Sequence, residues 1–259
     1  MPRTIIDFHT HPYLTDNHNF CFYKESFYLS PEEAINLLKQ QGITMICGSV
    51  IERTNCWDQI AACNREALEL SRIWNGFYIP GFHVHPDYLQ ESLDEIERMA
   101  ANGVKLVGEL VPYMHGWDFS HKDLPVLLEA MEKHSMVLSI HGTGITDEVI
   151  MPLLEQFPSL PFVAAHPGER SSVDMHLERM KRFDNYFLDL SGSGLGRMGL
   201  LRYMIDRAGK NQILFGTDFP LCPLAMYISV TEQDQFLTEE EKDHIFYKNA
   251  ERLLFGGKQ

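Results

Sequence analysis

Arg3-Thr4-Ile5-Ile6-Asp7-Phe8-His9-Thr10-His11 is a short apolar strand that runs into Asp-x-His-x-His. Side chains alternate faces along a strand, so Asp7, His9 and His11 are expected on one face. Two imidazoles two residues apart at a strand end suit a single metal ion. Later apolar runs also stop on ligand-type residues: Glu109, His141, His166 and Asp218.

Working outward from that strand, eight candidate strands alternate with helical patterns. They cover Thr4–His9, Thr44–Ile51, Phe77–His85, Val104–Leu110, Met136–His141, Pro161–His166, Tyr186–Ser191 and Gln212–Thr217. Their reference positions His9, Cys47, His83, Glu109, His141, His166, Asp189 and Asp218 are separated by roughly 23–38 residues, room for a strand, a crossover helix and two loops. Most are continuous apolar runs, as in sheets covered by helices. Ser30-Pro31-Glu32-Glu33 starts the first helix with a cap, a proline in the first turn and acidic residues. Asp58–Trp74, Asp87–Asn102, Lys122–His134, Asp147–Phe157, Ser171–Phe183 and Met198–Gly209 follow, and a last helix runs from Thr238 to Leu254. The expectation is a single α/β domain over residues 1–259, a (β/α)8 TIM barrel with a C-terminal helix. A doubly wound open sheet is the alternative, but no dinucleotide or phosphate-loop glycine motif supports it.

The chain carries 22 Lys and Arg against 36 Asp and Glu, a formal charge of −14. That balance opposes binding to a phosphate backbone, so no nucleic-acid partner is expected. The five cysteines, Cys21, Cys47, Cys56, Cys63 and Cys222, lack zinc-ribbon spacing and suit reduced thiols. No signal-peptide or membrane-spanning run is evident, which points to a cytoplasmic protein without a membrane partner. Nothing in the sequence sets the oligomeric state.

Barrel chemistry gathers where strands end at their C-terminal side. His9, His11, Glu109, His141, His166 and Asp218 are therefore expected to converge as metal ligands. Imidazole and carboxylate suit a divalent transition metal, zinc first, with manganese, iron or nickel also compatible, as one ion or two. Around them, His85 ends strand 3 and is a candidate for touching substrate or for a structural role. Tyr113, with His115 and Trp117, is a candidate pocket wall or ordinary rim packing. Arg170 is a candidate carboxylate clamp or a surface ion pair. The long segment Pro12–Leu29, with Phe20, Phe22, Tyr23, Phe27 and Tyr28, suits either a lid or a small apolar cluster at the barrel mouth.

These motifs resemble the amidohydrolase superfamily, in the amidohydrolase-2-like branch that holds hydrolases and related decarboxylases. Asp7-Phe8-His9-Thr10-His11, Ile140-His141-Gly142, Ala165-His166-Pro167-Gly168 and Phe215-Gly216-Thr217-Asp218-Phe219-Pro220 carry the likeness at strands 1, 5, 6 and 8. Lys248-Asn249-Ala250-Glu251-Arg252-Leu253-Leu254-Phe255 resembles the final helix of that branch. The resemblance implies that His9, His11, His141 and Asp218 hold metal. It implies that His166 takes a second ion or orients substrate. It also makes Asp218 the proton acceptor for a metal-activated water. Val107-Gly108-Glu109-Leu110 resembles the strand-4 glutamate of TatD-like hydrolases, where it bridges two ions; pairing with Arg170 or a histidine is the plainer role. The function implied is a metal-dependent hydrolase of a small amide, lactone or cyclic imide. Nonoxidative decarboxylation, a TatD-like nuclease and a silent metal-binding module are the alternatives.

Overall fold

A computed structural model describes residues 3–256. The strands are β1 (Ile6–Thr10), β2 (Met45–Ser49), β3 (Tyr78–Phe82), β4 (Leu106–Leu110), β5 (Val137–His141), β6 (Phe162–Ala165), β7 (Tyr186–Asp189) and β8 (Ile213–Leu214). All pair in parallel in the order β1 to β8. The ring closes where the Phe8 N–H donates to the Phe215 carbonyl at 2.9 Å, Asp218 N–H to His9 at 2.8 Å and His11 N–H to Phe219 at 2.7 Å. The expected (β/α)8 barrel is the fold.

The helices are α1 (Pro31–Gln40), α2 (Trp57–Ile73), α3 (Leu89–Ala101), α4 (Pro112–His115), α5 (Leu124–Lys133) and α6 (Asp147–Gln156). They continue with α7 (Arg170–Arg182), α8 (Leu200–Ala208), α9 (Leu224–Glu232), α10 (Glu239–Asp243) and α11 (Asn249–Phe255). The first begins as its sequence demands: the Ser30 hydroxyl accepts from Glu33 N–H, Glu33 accepts from Ser30 N–H, and Pro31 fills the first turn. The expected final helix is continuous but passes from α10 to α11 through a π turn at His244–Lys248. Helix α9 was not expected. Leu224-Ala225-Met226-Tyr227-Ile228-Ser229-Val230 is apolar all round, so no helical stripe stands out.

Strands β3, β7 and β8 stop earlier than their apolar runs suggest. At β8 the reason is visible. Phe215 N–H turns to the carbonyl of Ile245 at 2.9 Å, and Thr217 N–H is taken by Asp7 Oδ1 at 3.0 Å, so neither extends the ladder. Inside the barrel, Ile6, Phe8, Cys47, Leu106, Val137, Val163, Phe187 and Leu214 form one apolar layer. Ala250 and Leu254 of α11 pack onto that layer and plug one end of the barrel. The larger apolar cluster lies between the strands and the helical ring.

Two strands break register, and both breaks serve the open end of the barrel. The β1–β2 ladder shifts between Asp7 and Thr10, and the β4–β5 ladder shifts between Val107 and Leu110. Bulges of this kind re-aim side chains at strand ends. Gly108 makes the second one fit: it has φ +91°, and a Cβ there would lie 2.3 Å from the Ser139 carbonyl oxygen.

Candidate metal centre and substrate cleft

The break in β1 corrects the expectation from simple alternation. Asp7 does not join His9 and His11. Its oxygens accept from Thr217 Oγ1 at 2.6 Å, Thr217 N–H at 3.0 Å and His9 N–H at 3.2 Å, which fastens β1 to the end of β8. Burial pushes the Asp7 carboxyl up to about 7, partly offset by the Thr217 bond.

His9 and His11 instead meet Glu109 and Asp218. His9 Nε2 lies 3.3 Å from His11 Nε2, 3.5 Å from Glu109 Oε2 and 3.6 Å from Asp218 Oδ1. His11 Nε2 lies 3.6 Å from Glu109 Oε2 and 3.4 Å from Asp218 Oδ1. Ligand atoms about 2.1 Å from a shared tetrahedral ion sit about 3.4 Å apart, so the residues present fit a transition-metal ion. The other Glu109 oxygen faces a second group: Oε1 is 3.0 Å from His141 Nδ1 and 3.5 Å from His166 Nε2. One carboxylate thus faces both groups, His9–His11–Glu109 and Glu109–His141–His166.

Outer hydrogen bonds set the histidine tautomers. His11 Nδ1 is 3.1 Å from the Ser49 carbonyl, which only accepts, so that nitrogen carries the hydrogen. His9 Nδ1 donates to Asp189 Oδ2 at 2.9 Å. Ser191 Oγ donates to the other Asp189 oxygen, so its own lone pair receives His166 Nδ1–H at 3.1 Å. In all three histidines the Nε2 lone pair faces the cluster, as metal ligation requires. Gly192 makes room for this, because a Cβ there would lie 2.2 Å from His166 Nδ1. His166 and Asp218 hold left-handed φ angles of 68° and 66°, a strained conformation for non-glycine residues that concentrates at functional sites.

The charges also suit a cation. Burial alone would lower His11, but the Asp218 and Glu109 carboxylates outweigh it and push it up to about 9. Burial opposes a charged His9 as well, yet Asp189 and Glu109 hold it well above its ordinary value. Glu109 is driven well below the usual carboxylate range, because the surrounding histidines outweigh its burial.

A cleft of ≈ 160 Å³ opens over these groups, with His11, Glu109, His141, His166 and Asp218 on its floor. Phe20, Phe22 and Tyr113 are among its walls, and Arg53 is the one Lys or Arg among the described residues lining it. Tyr113 meets the His141 ring edge-on at 5.2 Å and also borders a neighbouring cavity of ≈ 260 Å³. The segment after β1 forms the expected small apolar cluster at the barrel mouth and also lines the cleft. Phe20 packs on Ile51, Val111 and Met114, while Phe22 remains 71% exposed at the cleft.

Two expected substrate contacts lie elsewhere. Arg170 opens α7 on the surface, paired with Asp174 at 3.1 Å and with the Tyr203 hydroxyl at 2.9 Å. A partner one turn on takes the guanidinium in this structure, and Arg170 is not among the described residues that line the cleft. His85 is buried behind the wall: Nε2 donates to the His115 carbonyl at 2.9 Å and Nδ1 accepts from Asp87 N–H at 3.2 Å. Conversely, Asp189 and Arg53 escaped the sequence reading. Asp189 shows only as the polar end of an apolar run. Arg53, in the plain stretch Val50-Ile51-Glu52-Arg53, gives no signal.

The amidohydrolase family model matches residues 6–256. No curated protein matches the chain. Among solved structures, 2,6-dihydroxybenzoate decarboxylase complexed with 2,6-dihydroxybenzoate superposes with a TM-score of 0.74 at 13% identity, covering 97% of this chain and 99% of that one. A 5-carboxyvanillate decarboxylase mutant from Novosphingobium aromaticivorans, with bound manganese and 3-methoxy-4-hydroxy-5-nitrobenzoic acid, gives 0.75 at 14% identity, covering 97% of each chain. An uncharacterized TIM-barrel protein from Bordetella bronchiseptica gives 0.72 at 18% identity, covering 97% of this chain and 98% of that one. At such identities the superpositions establish the fold, and the sequence match over nearly the whole chain establishes the lineage: the protein belongs to the amidohydrolase family.

Proposed function

We propose that this amidohydrolase-type, metal-dependent enzyme removes carbon dioxide from a small unsaturated or aromatic carboxylic acid without a redox cofactor. The observation that carries this reading is the make-up of the cleft. A lone guanidinium, Arg53, and the aromatic walls Phe20, Phe22 and Tyr113 share ≈ 160 Å³ with the histidine–carboxylate cluster. That combination suits a flat, compact anion. Two structural neighbours named as benzoate-type decarboxylases support it by analogy.

His9, His11, Glu109 and Asp218 would hold the ion, with His141 and His166 available for a second. When bound, the ion supplies positive charge for a substrate oxygen. Arg53 binds the acid, and the aromatic walls orient the ring and exclude water. The bond between the ring carbon and the carboxyl carbon breaks, and carbon dioxide leaves. The electron pair stays on the ring carbon and takes a proton there, which Asp218 would take up from solvent and relay. No oxidant or reductant is consumed.

Hydrolysis of an amide, lactone or cyclic imide is the second reading. It is favoured by Glu109, whose two oxygens face two ligand groups, and by Asp218, which would then accept a proton from water. Zinc- and manganese-loaded protein should be given carboxyl-labelled hydroxybenzoates and unsaturated acids beside amides, lactones and cyclic imides. Labelled carbon dioxide supports decarboxylation. Turnover confined to the neutral compounds, or metal-dependent DNA cleavage, would replace it.

A further inference from the structure

A second cluster of ligand atoms lies away from the barrel centre. His18 sits in a 3-10 turn (Asp16–His18) of the segment after β1, Glu52 follows β2, and Cys63 is buried in α2. His18 Nε2 is 3.4 Å from Glu52 Oε2 and 3.7 Å from Cys63 Sγ, and all three ligand atoms lie within 4.8 Å of one another. Around a tetrahedral zinc-type ion, with nitrogen and oxygen at about 2.0 Å and sulfur at about 2.3 Å, the matching separations are about 3.3 Å and about 3.5 Å.

The imidazole is held for this task from behind. His18 Nδ1 is 2.8 Å from Glu66 Oε2, while Glu66 Oε1 accepts from Leu14 N–H at 2.7 Å. A carboxylate on one ring nitrogen fixes the hydrogen there and aims the other lone pair outward, an arrangement usual behind metal-bound histidine. Hydrogen bonds alone serve the three groups poorly. An unprotonated Nε2 accepts the Cys63 S–H but leaves the Glu52 carboxylate against a lone pair. A protonated Nε2 gives its hydrogen to Cys63 Sγ at 3.7 Å and leaves Glu52, 3.4 Å away, with a charge contact alone. A single cation satisfies all three at once.

We propose that His18, Glu52 and Cys63 form a zinc-type site separate from the barrel centre, with Glu66 as a positioning residue and the Glu52 side, 29% exposed, as the route of entry. The ion would pin two stretches of the cleft rim together: the segment bearing Phe20 and Phe22, and the turn bearing Arg53. Cys63 would bind as thiolate, its proton released to solvent.

The site has a signature the barrel centre lacks, because the barrel-centre ligand set contains no cysteine. Apoprotein titrated with cobalt(II) should develop near-ultraviolet thiolate-to-cobalt absorption, and Cys63→Ser should abolish it while removing one metal equivalent. The visible cobalt absorption of the barrel centre should persist in that variant. Glu66→Gln keeps the thiol and should weaken the cobalt ion's binding at this site roughly 10- to 100-fold, as loss of an outer-shell partner does. This second variant decides the matter if Cys63→Ser does not fold. Cobalt-saturated wild type without the thiolate band, a band unchanged by Cys63→Ser, or a cobalt affinity at this site unchanged by Glu66→Gln would overturn the site. None of these readouts depends on turnover, so they stand apart from the decarboxylase reading.

Discussion

Asp189 Oδ2 receives the Nδ1 hydrogen of His9 at 2.9 Å, across the barrel interior from β7 to β1. This contact orients the imidazole, and Asp189 supports His166 as well through Ser191. Asp189→Asn offers an amide that can meet His9 with its NH2 face and favour the wrong tautomer. Metal affinity should fall roughly 10- to 100-fold while the fold persists. Metal titration followed by atomic emission, with circular dichroism as control, measures both. Unchanged affinity would reduce Asp189 to a packing residue.

Asp218→Asn keeps an oxygen for the metal but removes a proton carrier. Activity should drop roughly 100- to 10,000-fold, the span of positioned acid–base catalysis. Thermal melts should stay close to wild type. Wild-type turnover would take Asp218 out of the chemistry.

Arg53→Ala tests substrate charge. If the guanidinium binds a carboxylate, KM should rise by about an order of magnitude or more with kcat less affected, in line with the roughly 1.5–3 kcal/mol of a charge-assisted hydrogen bond. Neutral compounds should not feel the change. Equal losses for acids and neutral compounds would assign Arg53 to packing on Tyr113, whose ring centre is 5.7 Å from the guanidinium carbon.

Gly192→Ala places a methyl group where His166 stands, at a backbone φ of +60°. Overpacking of this kind costs roughly 1–3 kcal/mol. The Tm should fall by roughly 2–4 °C for each kcal/mol, and any metal held through His166 should bind more weakly. A variant with wild-type melting and metal content would show that the β7 end yields freely.

Acid stability follows from two histidines buried in the neutral form. Burial, with Arg179 adding to it, lowers His176 to about 3, and burial with His85 nearby lowers His115 to about 4. Free histidine titrates near about 6.5, so below that pH the unfolded chain takes up protons that the native state refuses. These two histidines should therefore lower stability as pH drops from about 6.5, each by up to about 1.4 kcal/mol per pH unit until its native value is reached, while Asp7, held up to about 7 in the native state, takes up a proton over the same range and offsets about one of them. Urea midpoints from pH 7 to 5 measure the slope. His176→Gln should flatten it, and an unchanged slope would show that His176 takes no part.

The barrel was legible because apolar runs and amphipathic stretches alternate at an even spacing. His141 and His166 were legible because each directly follows such a run, and strand ends in this architecture converge. What escaped depends on contacts between distant strands. Asp189 looks like any polar strand end until β7 is placed within reach of His9. Asp7 was grouped with His9 and His11 because alternation is a local rule, and the register break after it is not written locally. Arg170 drew attention through its closeness to His166 in sequence, yet the first turn of α7 delivers it to Asp174. Arg53 belongs to the cleft only because the turn after β2 brings it beside Tyr113.

Phe215 reaches both ways at the seam of the barrel: its carbonyl accepts from β1, and its N–H is bound by Ile245 in the final helical segment. Ala250 and Leu254 then fill the floor beneath that seam. A nascent chain therefore lacks this cover on its seam while the segment remains inside the ribosome. Until this segment docks, the Phe215 N–H lacks its partner and the apolar interior is unplugged. That segment acts as a latch on β1 and β8, and the interval before it docks is when the barrel most needs shelter from aggregation and proteases.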